Sequence, residues 1–411
     1  MKNSKLLIKL VAAILVIALT SVLFAGCNTS KTVVMSFTTE DGSETYEITE
    51  DEFSLFMKIQ KRLFFYSYFN NLISYDSPSF WSADSGKDGK TNEVYYKELA
   101  MDKIKAFLIE EYLFEANGLE ISSETLSNFK KQIKTDETNY GGKGAYKQYF
   151  GYKASDYGNV YMPAIQRSSM LLETLTKEGA LLEVKDTDLE TYYKDHYIGY
   201  QYIVIDLNNE VVRDEETGDR VVKKNKDDKG NEVDGDTYET KKLEGEAKEK
   251  KQNLAQSILD QLKEGASFEE MIEKYSDEYY SVEYPEGWFL DKELQFLNNK
   301  TVDDAAKKLE IGESTGEVIK SGNYHYIVKR VDLKEKVYED TEENEYAEFF
   351  EGFEEVVEYD NYDNYVKGFF DSIQINEEII KKYTMANTFL NKESALYRDW
   401  FYSSYGYFYI A

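Results

Sequence analysis

Cysteine and histidine are nearly absent from this chain, which has one cysteine and two histidines in 411 residues. The single cysteine, Cys27, excludes any disulfide within the chain. A zinc site built from cysteine and histidine is implausible as well, because structural zinc is held by four such ligands. We therefore expect no zinc site of this kind.

Basic residues are also scarce, with 49 Lys and Arg against 78 Asp and Glu and a formal net charge of -29. Nucleic acids and anionic lipid surfaces are bound through basic faces. The charge balance therefore argues against nucleic acid as a partner, and we interpret the acidic excess as a solubilising surface. Aromatic residues are abundant instead, with 36 Tyr and 23 Phe. The length allows two or three domains.

The N-terminus has the parts of a secretory signal peptide: three early lysines, an apolar run over residues 10–24, and small residues at its end. The run stops at Ala25-Gly26-Cys27, which resembles a bacterial lipobox, although Phe24 stands where leucine is usual. This resemblance implies a signal peptide at 1–26, lipidation of Cys27 and a tether at 27–32. Such an anchor would hold the protein on the extracytoplasmic face of the cell membrane. An ordinary transmembrane helix is the alternative, for which the run is short.

Residues 254–289 organise the rest of the chain. Their first half predicts an amphipathic helix, because apolar residues recur at helical spacing at Ala255, Ile258, Leu259 and Leu262. Gly265 is placed to end this helix, and Ser267 to cap a second one over Phe268–Tyr275. A Ser-Asp-Glu turn and an aromatic Gly287-Trp288-Phe289 follow.

This order resembles the parvulin (rotamase) family of peptidyl-prolyl isomerases. Residues 202–205 would be the family's first strand and 324–328 its last, and residues 309–313 match a Leu-x-x-Gly-Glu piece between them. The resemblance covers about residues 187–335. It implies a small domain with a four-stranded, mostly antiparallel sheet and flanking helices. A polar insertion at about 208–246 interrupts it, and part of that insertion predicts an exposed hairpin.

The segments on either side of this domain predict a second, helical lobe. Residues 33–186 begin with two short strands joined around Asp41-Gly42 and continue as helices, with a polar loop at 74–92. The Ala-Asn-Gly end of one helix, followed by Leu-Glu-Ile-Ser-Ser-Glu, resembles the chaperone lobe of extracytoplasmic foldases. That resemblance implies that residues 336–411 pass back to complete the lobe. Together these features predict an α+β fold class. We expect the aromatic run at 400–410 to dock on the helical lobe.

Rotation about an X-Pro bond needs no nucleophile, metal or cofactor, because the amide only loses conjugation as it twists. An enzyme assists by holding the proline ring in an apolar pocket and stabilising the twisted amide. By resemblance, His325 matches the family's second histidine and Glu278 its Cys or Asp position, so both are the catalytic candidates. The candidate substrate-binding residues are Tyr202, Trp288, Phe289 and Val302. Tyr202 falls where the family has its first histidine, and a structural histidine is the alternative for His325.

The leading hypothesis is a membrane-anchored, extracytoplasmic folding factor of parvulin type. It would bind unfolded or partly folded secreted polypeptides and catalyse cis–trans isomerisation of X-Pro bonds. The mismatches at the site leave a second hypothesis open, a holdase chaperone with an inactive parvulin domain. A third is a ligand-binding surface lipoprotein that uses its aromatic residues.

Overall fold

The chain folds into two units in a computed structural model, which describes residues 32–67, 76–87, 89–226, 232–292, 299–339 and 346–391. Unit 1 combines the chain up to residue 184 with the chain from 358 onward, and unit 2 comprises residues 185–357. The predicted signal peptide, the lipidation site Cys27 and the aromatic run at 400–410 lie outside the described residues. No helix within the described ranges combines the length and the apolar character that a membrane crossing requires.

Unit 1 opens with the predicted hairpin, which the structure confirms as strands β1 (Val33–Thr38) and β2 (Thr45–Thr49). The side chain of Asp41 fastens the turn, because its carboxylate accepts hydrogen bonds from the Thr39 hydroxyl at 2.7 Å and the Ser43 amide at 3.0 Å. These donors stabilise the ionised form and lower the pKa of Asp41 to about 2.

Helices make up most of unit 1: α1 (Glu50–Ser67), α2 (Pro78–Ser82), α3 (Asn92–Ala116), α4 (Ser123–Asn139), α5 (Lys143–Phe150) and α6 (Met162–Thr176). Helix α2 corrects the expectation of a loop at 74–92. It forms because the Ser77 hydroxyl caps the Phe80 amide and a proline occupies the first turn. Its Trp81 is buried in the unit's aromatic core.

Unit 2 contains the predicted four-stranded sheet. After helix α7 (Asp186–His196), the strands are β3 (Tyr197–Asp206), β8 (Trp288–Asp291), β9 (Ile319–Ser321) and β10 (Tyr324–Val331). Their order is β8-β3-β10-β9, and every neighbouring pair is antiparallel. The α+β fold class with a four-stranded sheet is therefore confirmed.

The insertion folds into more than the predicted hairpin. Four short strands form two separate two-stranded sheets, β4 (Asn209–Val211) with β7 (Thr240–Lys242), and β5 (Val222–Lys226) with β6 (Glu232–Tyr238). The turn at 214–219 is closed by hydrogen bonds between Asp214 and Asp219 and between Gly218 and Asp214. Backbone pairing thus gives this polar segment regular structure.

Two helices that follow the insertion, α8 (Glu246–Lys263) and α9 (Phe268–Tyr275), cover one face of the sheet. Their apolar residues pack with Ile203, Ile205 and Ile327 in one buried cluster. The unit also contains helices α10 (Tyr279–Glu283) and α11 (Lys300–Lys308). The amphipathic spacing at 255–262 therefore marks the core side of α8, as the sequence predicts.

From residue 358 the chain belongs to unit 1 again, through α12 (Phe353–Lys367), β11 (Gln374–Ile375) and α13 (Glu377–Ile380). Strand β11 pairs with β1, placing Ile375 opposite Met35. Beyond it, the carboxylate of Glu93 accepts hydrogen bonds from the amides of Met385 and Ala386 at 2.7 and 2.8 Å. The end of the described chain is thus fixed to α3.

Candidate functional site

The pairing of β3 with β10 decides which candidate residues meet. Tyr202 lies opposite Val328, whereas His325 lies opposite Ile205. Opposed residues share a face of the sheet, and successive residues of a strand alternate between faces. Because residues 202 and 205 are three apart, Tyr202 and His325 occupy adjacent strands but opposite faces.

His325 lies on the face that α8 and α9 cover. It is 9% exposed, and its Nδ1 atom has no hydrogen-bond partner among the described residues. Burial lowers the pKa of His325, and the nearby ammonium of Lys320, its cross-strand neighbour, lowers it further. Both effects favour the neutral form of the imidazole.

The other face carries a tyrosine–carboxylate pair. The hydroxyl of Tyr202 donates to Oε2 of Glu278 at 2.6 Å, and the Ser281 amide donates to the same oxygen at 2.7 Å. Burial raises the pKa of Glu278, although both of these donors act in the opposite direction. Burial and the Glu278 carboxylate together raise the pKa of Tyr202 well above its ordinary range.

Glu278 is positioned by the Ser-Asp-Glu turn, which lies along β3. The Val204 amide donates to the Ser276 hydroxyl at 3.1 Å, and the Asp277 amide donates to the Val204 carbonyl at 2.8 Å. The Asp277 carboxylate in turn accepts from the Asp206 amide and from Lys251 Nζ, each at 2.8 Å. The turn is thus hydrogen-bonded to the strand, which fixes where the next residue points.

Other aromatic residues of unit 2 pack against Trp288 and Phe289, two of the candidate substrate-binding residues. Trp288 is 7% exposed, and its ring centroid lies 4.7 Å from that of Phe349. The Phe289 ring lies 4.5 Å from that of Phe350. Val302, on α11, is 2% exposed. Substrate contact by Trp288, Phe289, Val302 and the buried Tyr202 stays a prediction, because none of them lines the cavity described next.

A cavity of about 330 Å³ lies in unit 1, but the larger one, about 760 Å³, opens beside Glu278. We call the larger one the Glu278 groove. The domain core and the turn contribute Val204, Asp206, Asp277, Glu278, Tyr279 and Tyr324 to its lining. The insertion contributes Asn209, Lys223, Thr237, Tyr238, Glu239 and Thr240. Among the candidate residues that the structure describes, only Glu278 borders this groove.

Sequence reasoning missed several residues of this face. The Tyr200 ring stacks on the Tyr202 ring at 5.5 Å, and the buried Tyr326 lies opposite Val204. Tyr238 reaches the groove from the insertion. The proximity of Tyr200 and Tyr202 could have been predicted from the sequence, because residues two positions apart share one face of any strand. Nothing in the sequence marks Tyr238.

Comparison with known families supports the domain type. The family model for the PPIC-type PPIase domain matches residues 231–334, about a quarter of the chain. Unit 2 therefore contains a domain of the PPIC, or parvulin, type. The match includes Glu278, Trp288, Val302 and His325 but not Tyr202. None of the curated protein sequences compared with this chain matches it.

Several solved structures are similar to the chain at low identity. A crystal structure of PrsA from Bacillus subtilis is 18% identical, with 70% of this chain and 86% of that chain covered and a TM-score of 0.23. The foldase protein PrsA from Streptococcus pneumoniae is 15% identical, with 84% and 97% covered and a TM-score of 0.21. The SurA-like chaperones of Campylobacter jejuni are represented at 13% identity, with 70% and 97% covered and a TM-score of 0.19. At such TM-scores the likeness carries no argument about function.

Proposed function

We propose that this protein is a membrane-anchored, extracytoplasmic folding factor that binds unfolded secreted polypeptides and catalyses cis–trans isomerisation of their X-Pro bonds. The observation that carries the proposal is the Glu278 groove, about 760 Å³, within a domain of the PPIC type. A cavity of this size falls in the usual range for ligand sites. The signal-peptide pattern and Cys27 support the extracytoplasmic, lipid-anchored location.

Isomerisation at this groove would depend on holding the chain on both sides of the prolyl bond. The barrier to rotation is about 18–20 kcal/mol, and it falls when the twisted amide is bound more tightly than the planar one. The rings of Tyr279 and Tyr324 offer apolar surfaces for proline. The Glu278 carboxylate, fixed by Tyr202 and Ser281, would accept a hydrogen bond from a backbone N–H of the bound chain.

A proline-limited refolding assay tests this function. We expect the wild-type protein to accelerate refolding and Glu278→Ala to lose about tenfold or more of that acceleration, since a hydrogen bond to a charged group contributes about 1.5–3 kcal/mol. Glu270→Ala is the matched control, because Glu270 is exposed on the neighbouring helix α9 and lies outside the groove. Equal effects of the two substitutions would contradict the role of Glu278.

A holdase without isomerase activity is the second candidate. The observation that favours it is the position of His325 on the opposite face from Glu278, which leaves the groove without a histidine in its lining. Delayed aggregation of an unfolded client with no acceleration of proline-limited refolding would select this function. Failure in both assays would exclude both candidates.

A further inference from the structure

The Glu278 groove has walls of two origins. One belongs to the sheet and its adjoining turn, and the other to the insertion that interrupts the domain between β3 and α8. Half of the lining residues come from the insertion. A polypeptide in the groove would therefore contact the insertion as extensively as the sheet.

Arg220 fastens the insertion to the segment that carries Glu278. Its Nη2 atom donates to the carbonyl oxygens of Glu273 at 2.5 Å and of Ser276 at 3.2 Å. Its guanidinium group also lies over the ring of Tyr238, 5.5 Å from the centroid. This one side chain thus connects Tyr238, at the end of β6, to Ser276, two residues ahead of Glu278.

Tyr238 makes a second connection between the same parts. It is 7% exposed, and its hydroxyl donates to Oε1 of Glu283 at 3.4 Å. Its ring meets the ring of Tyr279 edge to face, with 5.4 Å between centroids. Because Tyr238 and Tyr279 both line the groove, this contact makes the lining continuous from the insertion to the segment that carries Glu278.

The charges of the lining are unbalanced. Four carboxylates, on Asp206, Glu239, Asp277 and Glu278, face one ammonium, on Lys223. Lys251 pairs with Asp277 at 2.8 Å, but no salt bridge within the described residues involves the other three carboxylates. The groove therefore offers a net negative lining, and the net charge of -29 favours the approach of cationic chains.

Building on the function proposed above, we propose that the insertion makes the Glu278 groove selective for extended polypeptide segments that carry lysine or arginine beside proline. Arg220 is the positioning residue that holds the insertion wall against the turn. A basic side chain in the groove gains attraction from Asp206 and Glu239, whereas an acidic one is repelled.

The test uses the full chain and two peptides that differ only in a Lys-Pro or a Glu-Pro pair. We expect the Lys-Pro peptide to bind about fivefold or more tightly at low salt, and the ratio to shrink as salt screens the charges. Arg220→Gln should lower this ratio. Arg213→Gln is its control, matched in charge, because Arg213 donates to the Gly218 carbonyl within the insertion and leaves the turn untouched.

A second variant covers the case in which Arg220→Gln fails to fold. Glu239 is exposed, so Glu239→Lys should fold normally and should remove or reverse the preference. Equal affinity of the wild type for both peptides, or an unchanged ratio in both Arg220→Gln and Glu239→Lys, overturns the inference. A wild type that prefers Lys-Pro without accelerating refolding supports the inference and contradicts isomerase activity. Accelerated refolding without any preference for the Lys-Pro peptide supports isomerase activity and contradicts the inference.

Discussion

Tyr202 and Glu278 form a hydrogen bond of 2.6 Å on the face of the sheet that His325 does not share. The bond joins a buried strand residue to the N-cap of α10. A carboxylate at this position both caps a helix and borders the groove. The proposed function of unit 2 therefore depends on this tyrosine–carboxylate pair.

Removing the Tyr202 hydroxyl tests how much this pair contributes. Tyr202→Phe leaves a buried carboxylate with one donor fewer, so we expect the free energy of unfolding to fall by about 1–3 kcal/mol. The pKa of Glu278 should rise further, because Tyr202 opposes the effect of burial. Chemical denaturation measures the change in the free energy of unfolding. The pH dependence of the proline-limited refolding assay measures the change in the pKa of Glu278. Tyr324→Phe, at a 41% exposed site, is the control and should change stability by less than about 0.5 kcal/mol.

His325 should make unit 2 sensitive to acid. Its pKa is lowered from the ordinary value of 6.5, so the folded state binds fewer protons than the unfolded state below that pH. The contribution of the neutral His325 to stability is then fully present above about pH 6.5, and it is lost as the pH falls towards the folded-state pKa. His325→Phe should flatten this dependence in thermal unfolding at pH 5 to 8. His196→Gln, at the other histidine, is the control; an unchanged slope in His325→Phe would refute the assignment.

A buried lysine stabilises unit 1. Lys61 is 0% exposed, pairs with Asp76 at 3.0 Å and donates to the Thr388 carbonyl at 2.9 Å. Lys61→Met leaves Asp76 without this cation, and we expect a loss of about 3 kcal/mol or more in the free energy of unfolding. Lys90→Met breaks the exposed pair with Glu98 and should cost less than about 1 kcal/mol. Similar losses in the two variants would show that burial of Lys61 is unimportant.

The predicted anchor is testable at Cys27. If its thiol carries the lipid, Cys27→Ser should move the protein from the membrane fraction to the soluble extracytoplasmic fraction. Labelling with a radioactive or clickable fatty acid should be lost in the same variant. Retention of Cys27→Ser in the membrane fraction would instead favour the uncleaved apolar run as the anchor.

The sequence predicted the helices and strands of unit 2, but not which side chains would be in contact. Helices at 255–275, the strand around Tyr202 and the strand around His325 follow from periodicity, capping and the parvulin resemblance. The register does not follow, because a shift of one residue moves a side chain to the other face without changing the pattern. The two-residue turn at Gly322 and Asn323 fixes the register of β9 with β10, but β3 and β10 are more than 100 residues apart, so no turn fixes the register that separates Tyr202 from His325.

Long-range packing explains the other differences between the sequence-based predictions and the structure. The polar composition of 208–246 gave no sign that Arg220 would lie between the carbonyls of α9 and the ring of Tyr238. Likewise, the aromatic pair Trp288-Phe289 looks like an open pocket wall until Phe349 and Phe350 are placed against it. Contacts between residues some 60 positions apart leave no local trace in a single sequence.

The pairing of β1 with β11 has a consequence for the order in which the molecule is assembled. If the chain is exported from its N-terminus, as proposed, the β1–β2 hairpin emerges more than 300 residues before β11, the second partner of β1. Unit 2 is contiguous and has its own buried cluster, so it can fold before the C-terminal part of unit 1 has emerged. Until β11 arrives, one edge of β1 stays unpaired, and unit 1 is then itself an incompletely folded polypeptide of the kind that the proposed function would bind.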